Sequence, residues 1–135
     1  MMRIKRYLSG FIALVLVMVI GLTGCASSGT GLTGDYRQDT IIALQELRQA
    51  LELPEDSPDK TAIREKATLL MNDYASRYRR DRAVSTLNSF TTMRTAVNSL
   101  AGYYSSYPNR PLPKKVKDRL EQEFSQVERS LKRGA

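Results

Sequence analysis

The 135-residue chain has no histidine and a single cysteine, Cys25. Without histidine the commonest general base and metal ligand is missing, and the inward Glu-x-x-His pairs of a di-iron bundle cannot be built. One cysteine excludes an internal disulfide, a redox pair and a thiolate metal site. No glycine-rich phosphate loop occurs, because Gly29, Gly31 and Gly34 belong to a Ser/Gly stretch that precedes no strand pattern. No pair of carboxylates stands out either. Glu121, Glu123 and Glu128 alternate with Lys and Arg on a polar face, where i,i+4 pairing accounts for them better than acid/base work. Internal repeats, low-complexity tracts and a second apolar run long enough to cross a bilayer are all lacking. These absences argue against an enzyme and imply no metal and no cofactor.

What the chain does have begins at its N-terminus. Arg3, Lys5 and Arg6 precede an apolar run from Leu8 and Phe11 to Ile20, the length of a signal h-region. The run closes on Leu22-Thr23-Gly24-Cys25, the arrangement that bacterial lipoprotein processing reads. Small residues before the cysteine let the peptidase reach the backbone once the thiol carries diacylglycerol. Residues 1–24 are therefore expected to be a cleaved lipoprotein signal peptide, with Cys25 the acylated first residue of the mature chain. The competing reading is an ordinary signal peptide with a free cysteine. Cleavage would lower the formal net charge from +7 by three, since Arg3, Lys5 and Arg6 leave and no acid does. The precursor's pI of 9.8 thus overstates the basic character. Nucleic-acid binding loses its appeal for an exported, membrane-tethered domain.

Residues 25–34, with Ser27-Ser28-Gly29-Thr30-Gly31, read as a flexible tether, and residues 35–135 as one domain. Apolar spacing predicts four helices. The first runs from Tyr36 to Leu51 with Ile41, Leu44, Leu47 and Leu51 on one stripe and Asp35 as N-cap; Pro54 stops it. The second opens with Ser57 as N-cap and Pro58 at its first position, then carries Ile63, Ala67, Leu70, Tyr74 and Tyr78. The third uses Met93, Val97, Leu100 and Tyr104, with an extra turn or two before it around Val84 and Leu87. The fourth starts at Pro113, shows Val116, Leu120, Phe124, Val127 and Leu131, and ends before Gly134.

Short connections favour antiparallel neighbours, so the fold class is all-α, an up-down-up-down four-helix bundle. Alternating chain direction puts the tether, the Arg77–Arg82 connection and Lys132-Arg133 at one end. The acidic Glu52–Asp59 turn and the Tyr107–Pro113 linker fall at the other. Arg77, Arg79, Arg80, Arg82, Arg129, Lys132 and Arg133 make the tether end basic. Each such cation can contribute on the order of 1 kcal/mol near an anionic leaflet. The plainer account is that cations at helix C-termini complement the helix dipole; both can hold together.

Tyrosine and arginine carry the recognition chemistry, being the residue types that dominate protein interfaces. Tyr74, Tyr78 and Tyr104 lie on core stripes and read as bundle-filling residues whose hydroxyls reach the rim. Tyr103 is one position off the stripe and reads as a surface residue. Tyr107 and Arg110 sit in a linker stiffened by Pro108, Pro111 and Pro113, so little entropy remains to be lost on binding. The partner-binding candidates are accordingly Tyr103, Tyr107 and Arg110 at one end and Arg77, Arg79 and Arg80 at the other. Because they occupy opposite ends, a small interface can centre on only one group, which implies side-on docking.

The segments Gly31-Leu32-Thr33-Gly34-Asp35-Tyr36, Gln38-Asp39-Thr40, Asn72-Asp73-Tyr74, Ser76-Arg77-Tyr78-Arg79-Arg80, Ser89-Phe90-Thr91-Thr92-Met93, Asn98-Ser99-Leu100-Ala101-Gly102-Tyr103-Tyr104, Arg110-Pro111 and Arg133-Gly134 resemble the small photosystem II assembly and repair lipoprotein family of cyanobacteria. The likeness covers the whole mature chain and includes the lipoprotein cysteine. It implies a non-catalytic four-helix bundle, lipid-anchored on the lumenal side of the thylakoid membrane. It further implies transient docking on the lumenal domain of the smaller core-antenna chlorophyll protein, in photosystem II intermediates without a working manganese cluster. The free protein is expected to be monomeric. One departure is Asp81 to Asn88, where the family carries glycines in the connection and this chain has none. Two other classes stay open on the residues alone. One is a general envelope lipoprotein that binds or inhibits another periplasmic protein. The other is a hydrolase or ligand carrier, for which the apolar stripes offer few polar residues to line a pocket.

Overall fold

The computed structural model describes residues 29–134. The expected signal peptide and Cys25 lie outside the described residues. The helical body is the unit that begins at Leu32. It contains α1 (Tyr36–Glu52), α2 (Lys60–Tyr78), α3 (Arg82–Ser85), α4 (Asn88–Ser106) and α5 (Lys114–Lys132), and no strand occurs among the described residues. At about 1.5 Å rise per residue the four long helices span roughly 25 to 29 Å each, so one hydrophobic core serves all of them.

α4 packs most extensively on α5 and α1 on α2; the sparser α2–α4 and α1–α5 contacts close the ring. This is the up-down-up-down bundle. Its centre is Leu44, Leu47, Leu70, Met71, Tyr74, Phe90, Met93, Leu100, Leu120, Phe124 and Val127, all buried. The stripes of α4 and α5 hold as read, apart from Val116, which is only half-buried at the periphery.

α1 is turned relative to the expected stripe. Ile41 is 40% exposed, while Asp39, Thr40 and Ala43 are buried beside Leu44 and Leu47. Polar residues occupy core positions here because hydrogen bonds satisfy them, so an apolar count alone sets the face incorrectly. Asp35 caps the helix as expected, its side chain accepting from the Gln38 amide at 2.9 Å. α2 starts at Lys60 instead of Pro58. Ser57 anchors a turn, its hydroxyl oxygen accepting from the Asp59 amide at 3.3 Å and its carbonyl from the Lys60 amide at 3.3 Å. Pro58 and Asp59 are spent in that turn, and the N-cap passes to Asp59.

The connection after α2 forms the extra turn around Val84, now α3, capped by the Asp81 side chain on the Ala83 amide at 3.0 Å. Leu32, Thr33 and Gly34, assigned to the tether by the sequence, belong to the bundle: Leu32 is buried in the core, and the other two bond to α1. Across the α1–α5 seam, Arg48 bonds Glu121 at 3.2 Å and Glu128, with Ser125 at 3.5 Å. Two of the three glutamates therefore pair between helices, and Glu123 alone pairs within its own helix, with Arg119.

Candidate docking surface

The tether end is held by a buried polar knot. The Asp39 carboxylate accepts from the Thr33 amide (2.6 Å), the Thr33 hydroxyl (2.8 Å), the Gly34 amide (3.0 Å) and the Tyr78 hydroxyl (2.5 Å). Gly34 turns with φ +95, a conformation that L side chains rarely adopt, and this lets two successive amides and a hydroxyl reach one carboxylate. At the next position, Thr40 donates to the Tyr36 carbonyl at 2.7 Å and shares a 2.8 Å bond with the Tyr74 hydroxyl; Tyr36 meets Ser89 at 2.6 Å. Burial alone would raise the Asp39 carboxyl, but hydrogen bonds from Tyr78, Thr33 and Gly34 outweigh it and hold the group below the ordinary carboxylate value. Burial pushes the Tyr74 and Tyr78 hydroxyls up, so both remain proton donors or neutral acceptors across the working pH range. Tyr74 and Tyr78 thus fill the core while their hydroxyls staple α2 to α1. Such a network fixes structure.

Next to the knot, between α2 and α4, lies a groove of about 460 Å³. Tyr74, Phe90 and Val97 form its buried floor, the two rings stacking at 6.3 Å. Arg79, Arg80, Arg94 and Asn98 line its rim. The two predicted arginines Arg79 and Arg80 therefore come together with Arg94, which lies one turn before Asn98 on the same face of α4. Arg77 does not line the groove; its Nε donates to Asp73 at 2.9 Å within α2.

The other predicted group assembles at the opposite end of the bundle. Tyr103 and Tyr107 rings meet at 5.1 Å, and the Arg110 guanidinium lies 5.1 Å from the Tyr107 centroid. Tyr103 also donates to the Pro111 carbonyl at 2.9 Å, so it serves the linker as well as the surface. The linker is gripped by Arg64, which donates to the carbonyls of Pro108 (3.0 Å), Arg110 (2.8 Å) and Tyr107 (3.5 Å) and stacks 4.8 Å over the Tyr104 ring. Arg64 also lines an adjoining groove of about 610 Å³ with Leu69, Ala101, Tyr104 and Pro108. Leu69 is 63% exposed there, the most exposed large apolar side chain of the bundle. Both grooves follow the loosely packed α2–α4 seam.

Three residues that shape these sites escaped the sequence reading. Asp39 shares a four-residue spacing with Ala43, Leu47 and Leu51, a signal that a buried stripe starts with an acid. Arg94 shares a face with Asn98, a weak signal. Arg64 had none, since its acceptors are backbone carbonyls some forty residues away. Among the described residues, no group of three or more His, Cys, Asp or Glu is placed to hold a metal ion.

The family model described as Photosystem II Pbs27 matches residues 9–131. The chain is 54% identical over 131 residues to the Photosystem II lipoprotein Psb27 of Synechocystis sp., covering 97% of each chain. It is 53% identical over 131 residues to the Photosystem II assembly factor lipoprotein Psb27 of Thermosynechococcus vestitus, covering 97% of this chain and 98% of that one. The solution structure of Psb27 from cyanobacterial photosystem II superposes with a TM-score of 0.76 at 54% identity, over 81% of this chain and 95% of that chain.

Proposed function

The chain belongs to the photosystem II Pbs27 family, and from that premise we propose that it is a non-catalytic assembly and repair factor of photosystem II. It docks on the lumenal side of intermediates that have not yet assembled the manganese cluster, on the lumenal domain of the smaller core-antenna chlorophyll protein. Cys25, acylated after signal cleavage, holds it to the thylakoid membrane. The protein acts as a monomer and takes no cofactor and no nucleic acid.

The observation that carries this reading is the extent of the likeness. It runs through at least 97% of both chains in the two relatives, one named as a lipoprotein of photosystem II and one as its assembly factor. The bundle supplies what a transient factor needs: a rigid body with arginine and tyrosine anchors at its surface and no large apolar face that would resist release.

Capture from detergent-solubilised thylakoids, followed by mass spectrometry, tests it. The expected catch is the smaller core-antenna chlorophyll protein with photosystem II core subunits and without a functional manganese cluster. A catch of unrelated envelope proteins overturns the reading.

A further inference from the structure

Arg79, Arg80 and Arg94 converge on one groove, and among the described residues their guanidiniums have no ion pair or hydrogen bond. Other arginines of the bundle are engaged: Arg48 with Glu121 and Glu128, Arg77 with Asp73, Arg37 with the Leu131 carbonyl at 2.9 Å, and Arg64 with the linker carbonyls. No carboxylate lines the groove. Helix-dipole complementation accounts for Arg79 and Arg80, which follow the last turn of α2, but not for Arg94 in the interior of α4. A merely solvated cationic face does not account for the concavity or its apolar floor. A low-dielectric floor beneath three uncompensated cations focuses their field outward and favours an anionic occupant.

We propose that this groove is a docking cleft for an acidic peptide segment of a protein partner. Carboxylates of the segment pair with Arg79, Arg80 and Arg94, an apolar side chain between them covers Tyr74, Phe90 and Val97, and Asn98 bonds the segment's polar atoms. The inference deepens the functional reading above, on which it rests, by naming the chemistry of the surface that is recognised. The guanidinium fork suits carboxylates, which it binds through two parallel hydrogen bonds. A flat anionic leaflet would meet the rim and leave the floor uncovered, so a chain segment that can enter the groove is the better fit.

The test uses the acylated chain, nitrogen-15 labelled, in neutral detergent micelles, with a synthetic peptide of alternating Glu and Leu and its Gln/Leu counterpart as probes. Amides of Ala75, Arg79, Arg94 and Asn98 are expected to shift with the Glu/Leu peptide only. R79E with R94E should weaken that binding roughly tenfold or more, while K115E, at an exposed position of α5 outside the groove, leaves it unchanged. R79Q with R94Q removes the charges without reversing them and covers the case in which the double reversal fails to fold. Equal response to the Gln/Leu peptide overturns the inference. So does a folded R79Q/R94Q variant that binds like the parent, or phosphatidylglycerol in the micelles shifting the same amides while the peptide is silent. Capture from thylakoids separates this from the broader reading. If the parent captures photosystem II proteins and the double variant captures them equally well, the cleft assignment alone fails. If the parent binds the peptide in the cleft but captures no photosystem II protein, the functional reading fails and the cleft stands.

Discussion

Tyr78 donates its hydroxyl to the Asp39 carboxylate at 2.5 Å, joining the end of α2 to the start of α1 across 39 positions of sequence. The same carboxylate collects Thr33 and Gly34, so one buried charge organises three pieces of chain. Tyr78→Phe should destabilise the fold by about 1–3 kcal/mol, since it removes a hydrogen bond to a charged group and leaves that charge less well satisfied. Urea unfolding checks this, with an unchanged slope expected because the exposed surface hardly alters.

The same site sets an acid limit. Asp39 is held below its ordinary value of 3.8 in the folded protein, so the folded state binds fewer protons than the unfolded one as pH falls. Its contribution is fully present above the unfolded value and is lost as pH drops through the folded one. Stability should therefore be flat from neutral pH to about 5 and decline below about 4. In Asp39→Asn the protein should be weaker at pH 7 and less dependent on pH over the acid range, as read by urea midpoints.

Leu100 is fully buried in the middle of α4, whereas Ile41 is 40% exposed on α1. Leu100→Ala should cost roughly 2–5 kcal/mol by leaving a cavity. Ile41→Ala should cost less than about 1 kcal/mol, as surface substitutions do. Equal effects in thermal or urea unfolding would show that the face of α1 is placed wrongly.

Arg64 spans three carbonyls of the proline-rich linker and covers Tyr104. Arg64→Ala should free residues 107–111, raising the hydrogen-exchange rates of the Tyr107, Asn109 and Arg110 amides. Arg64→Lys should not restore protection, because an ammonium is a point donor and cannot reproduce the planar fork.

Cys25→Ser should leave the bundle folded and move the protein toward the soluble fraction. In the parent, mass spectrometry of the N-terminal peptide should find a diacylglycerol thioether and an N-acyl chain, enough lipid for stable attachment. An unmodified thiol would sink the anchoring proposal.

The α4 and α5 stripes were legible because apolar residues dominate their buried faces and recur at steps of three and four, so periodicity alone reveals the face. The register of α1 was not, because Asp39 and Thr40 are buried through hydrogen bonds to residues distant in sequence, and Ile41 beside them draws an apolar count outward. Ser57 and Pro58 carry every local sign of a helix start, yet the chain uses them for a turn first. Of the candidate surface, the residue types were readable from tyrosine and arginine content and the opposite ends followed from topology. That Arg94 joins Arg79 and Arg80, and that Arg77 is taken by Asp73, depends on the angular placement of side chains between two helices. That placement is set by tertiary packing and leaves no mark in the local sequence.

The bonds from Thr33 and Gly34 to Asp39 also shorten the leash. Under the proposed lipid anchor, with the chain fixed to the bundle from Leu32 onward, only six residues separate Cys25 from the rigid body, a reach of at most about 25 Å. The groove shares the end of the bundle that holds this attachment. A partner embedded in the same bilayer would then be searched for in a thin layer next to the membrane, not in the whole compartment. Confinement of that kind raises the effective concentration and lets a weak, releasable contact stay occupied. Lengthening the leash with a Gly/Ser insert between Cys25 and Gly31 would dilute the same contact without altering a single residue of it.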